Sequence, residues 1–237
     1  MRNKTFTRQL VATTLAALSL LTPVAARAQQ CDPDTEARLQ FLETRLDEGA
    51  HNTRLWWGGW MAVFSIGVVY GVTAGALEDN NEIAVANYIT ASKGALGIAQ
   101  LVLRPNVGRH GAAPMRAIPK TSSASCAERL KLAEKSMEMA AGDANMRWSW
   151  QRHLGSLLLN LGAGLAVAEG CDEPEQGWRD FGISEVSSEL HLWTHPTRAS
   201  DDWQQYRSQF SGAPVAAEPS TFRFAAQRGG VGFIWKF

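Results

Sequence analysis

Residues Leu55 to Leu77, LWWGGWMAVFSIGVVYGVTAGAL, run for twenty-three positions without one charged side chain. No other feature constrains the fold so strongly. About twenty apolar residues in a helix cover the hydrocarbon thickness of a bilayer, and in a soluble bundle the same run needs sister helices around it. Trp56, Trp57 and Trp60 cluster at one end like an interfacial belt, with Trp148 and Trp150 as partial counterparts downstream. Gly67, Gly71 and Gly75 stand four apart, a ladder of small residues that lets another backbone come close, and Gly164 is its counterpart further on.

Three observations weigh toward burial. A cleaved export signal would leave the head of this segment outside, so a span would carry Glu78, Asp79 and Glu82 inward and leave Arg38, Arg45 and Arg54 behind, reversing the positive-inside preference. The corresponding downstream stretch, Met146 to Ala168, contains Arg147, Arg152 and His153, and its uncharged remainder is short for a span. A third apolar stretch, Tyr88 to Leu103, has Lys93 inside it, and a charge at mid-bilayer depth costs about 3 kcal/mol on insertion scales. The expectation is therefore a buried helix, with an integral component spanning at 55–77 as the alternative.

Residues 1–28 read as an export signal. Arg2, Lys4 and Arg8 precede an apolar stretch from Leu10 to Ala26, and Ala26-Arg27-Ala28 has the small-x-small form of a cleavage site. The chain has 23 basic and 23 acidic residues. The signal takes four basic and no acidic ones, leaving 19 against 23. That balance lacks the basic footprint of a nucleic-acid binder. Export permits disulfides. With three cysteines at most one intramolecular bridge forms. Cys126 and Cys171 flank one expected helical hairpin and are the candidate pair, although unequal helix lengths misplace their ends and Cys31 stays open as a partner.

The chain reads as mainly α, a helical bundle of two duplicated three-helix units (29–105 and 125–200). A linker at 106–124 joins them, and 201–237 adds a short helix, a second linker and a C-terminal β-hairpin. Asp32-Pro33 starts one helix, Ser125 with Glu128 starts another, and Leu39, Leu42, Leu46 and then Leu130, Ala133, Met137 recur at helical spacing. Arg38-Leu39 matches Arg129-Leu130 at an offset of 91, Asn52 and Arg54 match Asn145 and Arg147 at 93, Gly71 matches Gly164 at 93, and Pro105 matches Pro196 at 91. The order polar helix, Trp-rich turn, apolar helix, second apolar helix is shared. Between the units, Pro105 to Ser125 has linker composition and is expected to be exposed.

Near the C-terminus the period changes to two. Val231, Phe233, Trp235 and Phe237 alternate with Gly232, Ile234 and Lys236, and Gly229-Gly230 suits a tight turn. These last residues resemble the closing strand of outer-membrane β-barrels over about seven positions. A barrel needs at least eight alternating strands, and the preceding chain has helical spacing instead. A hairpin that packs on the bundle or extends a partner's sheet fits better.

Candidate chemistry is sparse. His191 and His195 form HLWTH, an i, i+4 pair suited to one metal, with Glu185, Asp201, Asp202 and Cys171 as conceivable third ligands. Pro196 biases His195 away from helical geometry, so the plainer reading is two histidines at a helix end. No nucleophile elbow, phosphate loop or zinc-protease motif occurs, and carboxylates such as Glu134 and Glu138 fall on a polar helix face. Arg54 and Arg147, each preceding a tryptophan cluster, are placed to stack on indoles. The expectation is an exported envelope protein acting as a structural or interaction module, without catalysis or cofactor, meeting an unknown envelope protein or a membrane surface. The alternative is a binder of a small apolar ligand or metal inside the bundle.

Overall fold

The computed structural model describes residues 31–104, 106–211, 221–227 and 230–236. The signal reading at 1–28 lies outside them. The described chain is mostly helical: α1 (Pro33–Leu77), α2 (Asn81–Leu103), a 3-10 turn (Val107–His110), α3 (Ala113–Arg116), α4 (Ser123–Arg147), α5 (Trp150–Gly170), α6 (Pro174–Trp193) and α7 (Arg198–Phe210). The backbones of Thr221–Gln227 and Gly230–Lys236 pair antiparallel, Thr221 opposite Lys236 and Gln227 opposite Gly230.

The first half of α1 joins α3, α4 and α7 in a head. Asp32 caps α1, its side chain accepting from the Thr35 N–H at 3.0 Å, with Pro33 in the first turn. From there Leu39, Leu42 and Leu46 form one buried stripe that meets Leu130, Ala133 and Met137 of α4 and Tyr206 of α7. Two crossed ion pairs flank this core, Arg38 with Glu134 and Arg129 with Glu43. Glu134 is thus an ion-pair partner and not solvated surface, while Glu138 stays exposed. Helix α4 starts earlier than expected. Ser122, not Ser125, is the cap, and its hydroxyl accepts from Ser125 N–H while Ser125 Oγ accepts from Ser122 N–H.

The segment expected to be an exposed linker is part of the head. Gly111, at φ 58°, turns the chain so that Ala112 N–H donates to Asp47 Oδ1 at 2.8 Å, and both Ala112 and Met115 are fully buried. Proline and glycine composition here encodes a tight fold-back.

Cys31 is bonded to Cys126, tying the start of α1 to the start of α4, and Cys171 is a buried free thiol. The Cys126–Cys171 pairing is thereby corrected. Its premise was that α4 and α5 lie side by side, whereas α5 pairs with α6 and leaves Cys171 at the far tip of that hairpin.

The second half of α1 pairs with α2, and α5 with α6, giving two helical hairpins that form a body. Here the expected three-helix unit differs from the fold. The chain stays helical through Trp56–Trp60, so polar and apolar helices merge into one of 45 residues, whereas the downstream copy breaks at Trp148-Ser149. Glycines seam each hairpin. A Cβ on Gly71 would fall 2.6 Å from Asn87 O, and one on Gly177 would fall 2.5 Å from Gly164 O. Gly75 lies against Tyr88 and Gly164 against Phe181. Gly67 departs from the expected ladder, since no atom lies within 4 Å of its Cβ position, and Gly94 and Gly97 make the close approaches to Phe64 and Val68 instead.

The charge-free segment is not the dry centre of the bundle. Within Leu55–Leu77 only Trp56, Gly71 and Gly75 are buried, and the most apolar stretch of α1 is 11% buried. Ile66 is 68% exposed, and Val69, Tyr70, Leu96, Leu158, Ile183 and Val186 also face outward. One hairpin partner covers one stripe of the helix and leaves the rest open.

Two outcomes are expected. Unreduced, denatured protein should titrate one thiol and reduced protein three, and Cys126→Ser should cost the head roughly 2–5 kcal/mol in denaturant unfolding. Gly71→Leu should lower stability by about 1–3 kcal/mol through overpacking, while Gly67→Ala leaves the melting temperature unchanged.

Candidate functional site

The expected site residues meet at the joint between head and body. Trp56 of α1 is buried, and its Nε1–H donates to His191 O at 3.3 Å. The Arg147 guanidinium lies 4.9 Å from the Trp56 ring centroid, the His191 ring stacks on it at 4.9 Å, and the His195 ring meets it edge-on at 4.6 Å. Arg147 is 2% exposed and donates from Nε to the Asp143 carboxylate at 3.1 Å. His195 Nε2 lies 3.3 Å from Asp143 Oδ2 and 3.0 Å from the Asn106 amide nitrogen. The expected stacking therefore holds for Arg147 and fails for Arg54, which donates to Arg109 O while Arg109 stacks on Trp57 at 4.5 Å.

This arrangement is aromatic packing around a buried charge. Trp56 contacts both imidazoles, and among the described residues no three His, Cys, Asp or Glu side chains are grouped to hold an ion. The conceivable third ligands are dispersed: Glu185 accepts from Asn160, Asp202 pairs with Arg198, and Cys171 sits at a hairpin tip.

Burial drives His195 below its ordinary pKa, with Arg147 adding to the depression and Asp143 opposing it. Burial would raise the Asp143 carboxyl, but the His195 hydrogen bond and the Arg147 charge outweigh that and hold it below the usual carboxylate value. In the head, burial and the hydrogen bond to Glu134 push the Tyr206 hydroxyl up to about 12.

The five tryptophans expected at an interface divide. Trp56 is core. Trp57 and Trp60 are half-buried, donating to Leu101 O at 3.2 Å and Thr194 Oγ1 at 3.1 Å, and Trp148 is likewise half-buried. Trp150 is exposed, as are Trp178 and Trp193, which sequence reasoning did not single out.

Between the hairpins lies a crevice of about 490 Å³ lined by α1, α2, α5 and α6. Its polar side is built from charged and amide groups, of which sequence reasoning noted Lys93 and Glu185 separately without bringing them together. Lys93 Nζ donates to Ser184 Oγ at 2.6 Å, Thr90 Oγ1 lies 3.5 Å from Asp180, and Asn160 Nδ2 donates to Glu185 at 2.9 Å and to Ser188 at 3.0 Å. Beside it, His153 Nδ1 lies 2.8 Å from Glu189. The signal was present in the spacing: Thr90, Lys93, Gly97 and Gln100 fall at i, i+3, i+7, i+10, a polar stripe inside an apolar helix. His191 reaches the same crevice, and its buried Nε2 has no hydrogen-bond partner among the described residues.

Compared with known families, characterised proteins and solved structures, the chain matches no family model, no curated protein and no structure. Functional inference therefore rests on geometry.

The pH dependence has a definite sign. A histidine whose folded pKa is depressed leaves stability intact above its unfolded value near 6.5 and loses it as pH falls below that. Thermal unfolding followed from about pH 7 to about pH 5 should show a falling midpoint, and His195→Asn should flatten that slope.

Proposed function

We propose that the chain is an exported envelope protein whose helical body spans a membrane while its disulfide-tied head stays in water, serving as a structural or interaction module. One observation carries this reading: the body presents a broad apolar outer face, broken on α6 by the exposed Glu175 and Arg179 toward the far tip, and keeps other polar groups inside. Ile66, Val69, Leu158 and Val186 face out, whereas Lys93, Asp180, Glu185 and Glu189 find partners within. Ionisable residues at membrane depth face the bundle interior and pair with one another, because hydrocarbon solvates neither charge nor backbone.

Lengths agree with this. The charge-free part of α1 has 23 residues, α2 has 23, α5 has 21 and α6 has 20, all close to what a bilayer crossing requires. Of these, α1 is long and apolar enough to cross by length and composition. Trp57, Trp60, Trp150 and Trp193 gather at the head end with Arg54, Arg104, Arg109 and Arg152, an aromatic collar of the kind found at a membrane interface, with its arginines on the exported side, the reverse of the positive-inside distribution. The opposite tips carry Glu78, Asp79, Asp172 and Glu173. The Cys31–Cys126 bridge suits an oxidising compartment.

Duplication of an ancestral unit belongs to the same proposal, and the head supports it. The buried positions 39, 42, 46, 50 and 53 of α1 recur as buried 130, 133, 137, 141 and 144 of α4, each at an offset of 91. The crossed pairs Arg38–Glu134 and Arg129–Glu43 exchange under that same offset. The paired C-terminal segments would extend a partner's sheet.

The decisive experiment is fractionation of expressing cells by osmotic shock and alkaline carbonate washing. The protein is expected in the pellet, extracted only by detergent. Release into the shock fluid as a stable monomer would overturn the membrane reading and leave a soluble module whose outer face meets a protein. Within the membrane reading, Ile66→Lys should reduce pelleted protein, because it places a charge worth about 3 kcal/mol against lipid.

A further inference from the structure

We infer that the crevice between the two hairpins is a binding site for an anionic lipid, with the headgroup inside and the chain leaving sideways. The cavity, about 490 Å³, is in the range of small-molecule sites. Three groups lining it have unused hydrogen-bonding capacity. Among the described residues Arg152 pairs with no carboxylate, and its guanidinium donates to the Met146 sulfur at 3.2 Å. Lys93 Nζ has three donors, of which the Ser184 hydroxyl takes one. His191 is 5% exposed, and its Nε2 finds no hydrogen-bond partner among the described residues. A buried polar atom left unpaired costs free energy, so its presence in a cavity wall argues for an external partner.

The charge of that partner follows from the neighbours. Arg152 lies within the repulsive field of Arg104 and Arg147, with Asp143 as the opposing acid. Three acids stand beside these groups, all on α6: Asp180 acts on Lys93 across the crevice, while Glu185 and Glu189 take hydrogen bonds from Asn160 and His153, so what stays open is donor capacity on Arg152, Lys93 and His191. An anion is thus the charge the vacant donors would stabilise. Its chain has a path as well: Leu96 of α2 and Leu159 of α5 line the crevice and are themselves 57% and 56% exposed, so the opening leads to the outer apolar face. Basic pockets between membrane helices bind acidic headgroups in this way, through charge-assisted hydrogen bonds. The inference rests on the membrane reading for the source of the lipid, but the recognition chemistry does not need a bilayer.

The test uses monomeric short-chain lipids, so that it works on protein recovered either from membranes or in soluble form. Dihexanoyl phosphatidylglycerol, dihexanoyl phosphatidylcholine and hexanoate, each below its micelle concentration, are titrated against the full-length protein with tryptophan fluorescence as readout. Phosphatidylglycerol should bind at least tenfold more tightly than phosphatidylcholine, and Arg152→Gln with Lys93→Gln should remove that preference while circular dichroism stays unchanged. Hexanoate binding equal to phosphatidylglycerol would assign the site to carboxylates. Equal affinity for the anionic and zwitterionic lipids, or a preference that survives the double variant, would overturn the site. If the double variant fails to fold, His191→Phe, which fills the position without an Nε2, serves as the second probe and should weaken anion binding. A protein released by osmotic shock that still prefers the anion would sink the membrane reading alone.

Discussion

A single uninterrupted helix governs this molecule. Helix α1 begins among charged residues and continues through Trp56–Trp60 into an apolar stretch, so the same 45 residues belong to both head and body. At about 1.5 Å per residue it is roughly 68 Å long, far more than one small core needs. Every other element is positioned against one end or the other of this rod. The rest of the chain covers the same distance with two helices, α4 and α5, broken at Trp148-Ser149. The passage from head to body is guarded by Trp56, on which Arg147 and both histidines converge. A charge buried to 2% exposure requires a partner, and Asp143 supplies it.

Head and body follow opposite solvent rules. In the head, Leu39, Leu42, Met137 and Tyr206 are inside and most charges lie at the rim, as water demands. In the body the order is inverted. Glycine seams bring the helices close, the polar groups turn toward one another, and a broad apolar surface stays uncovered, larger than the isolated patches a monomer in water normally tolerates. Lys93, Asn160 and Glu185 occupy inward positions of otherwise apolar helices, the arrangement on which the proposed membrane reading rests.

Much of this was legible in the residues, and the failures have physical causes. Helical periodicity identified the stripes at Leu39, Leu42, Leu46 and at Leu130, Ala133, Met137, and Asp32-Pro33 gave the start of α1, because caps and spacing are local properties. Gly71, Gly75 and Gly164 lie at close helix approaches, whereas Gly67, at the same spacing, has open space at its Cβ position. Which cysteines pair depends on whether α4 and α5 are neighbours, and that is decided by tertiary packing. The 106–124 segment was misjudged because Gly and Pro signal a change of direction without saying whether the turn is buried. What α1 meets on its open side is hardest to read, because a charge-free run looks alike facing water, lipid or protein, and the inward contact of Lys93 with Ser184 depends on which helices are neighbours.

The bridge joins Cys31 to Cys126, 95 positions apart, and closes a covalent ring that contains all of α1 and α2 and the buried fold-back. A peptidase that severed the chain within that ring, at the exposed Ala117 for example, would not part the two pieces. Sulfur would still hold them at the head while the first hairpin and its sister stayed docked. Nicked molecules would therefore travel together until reduced, so the assembly can survive a wound to its backbone that an unlinked bundle of the same shape could not.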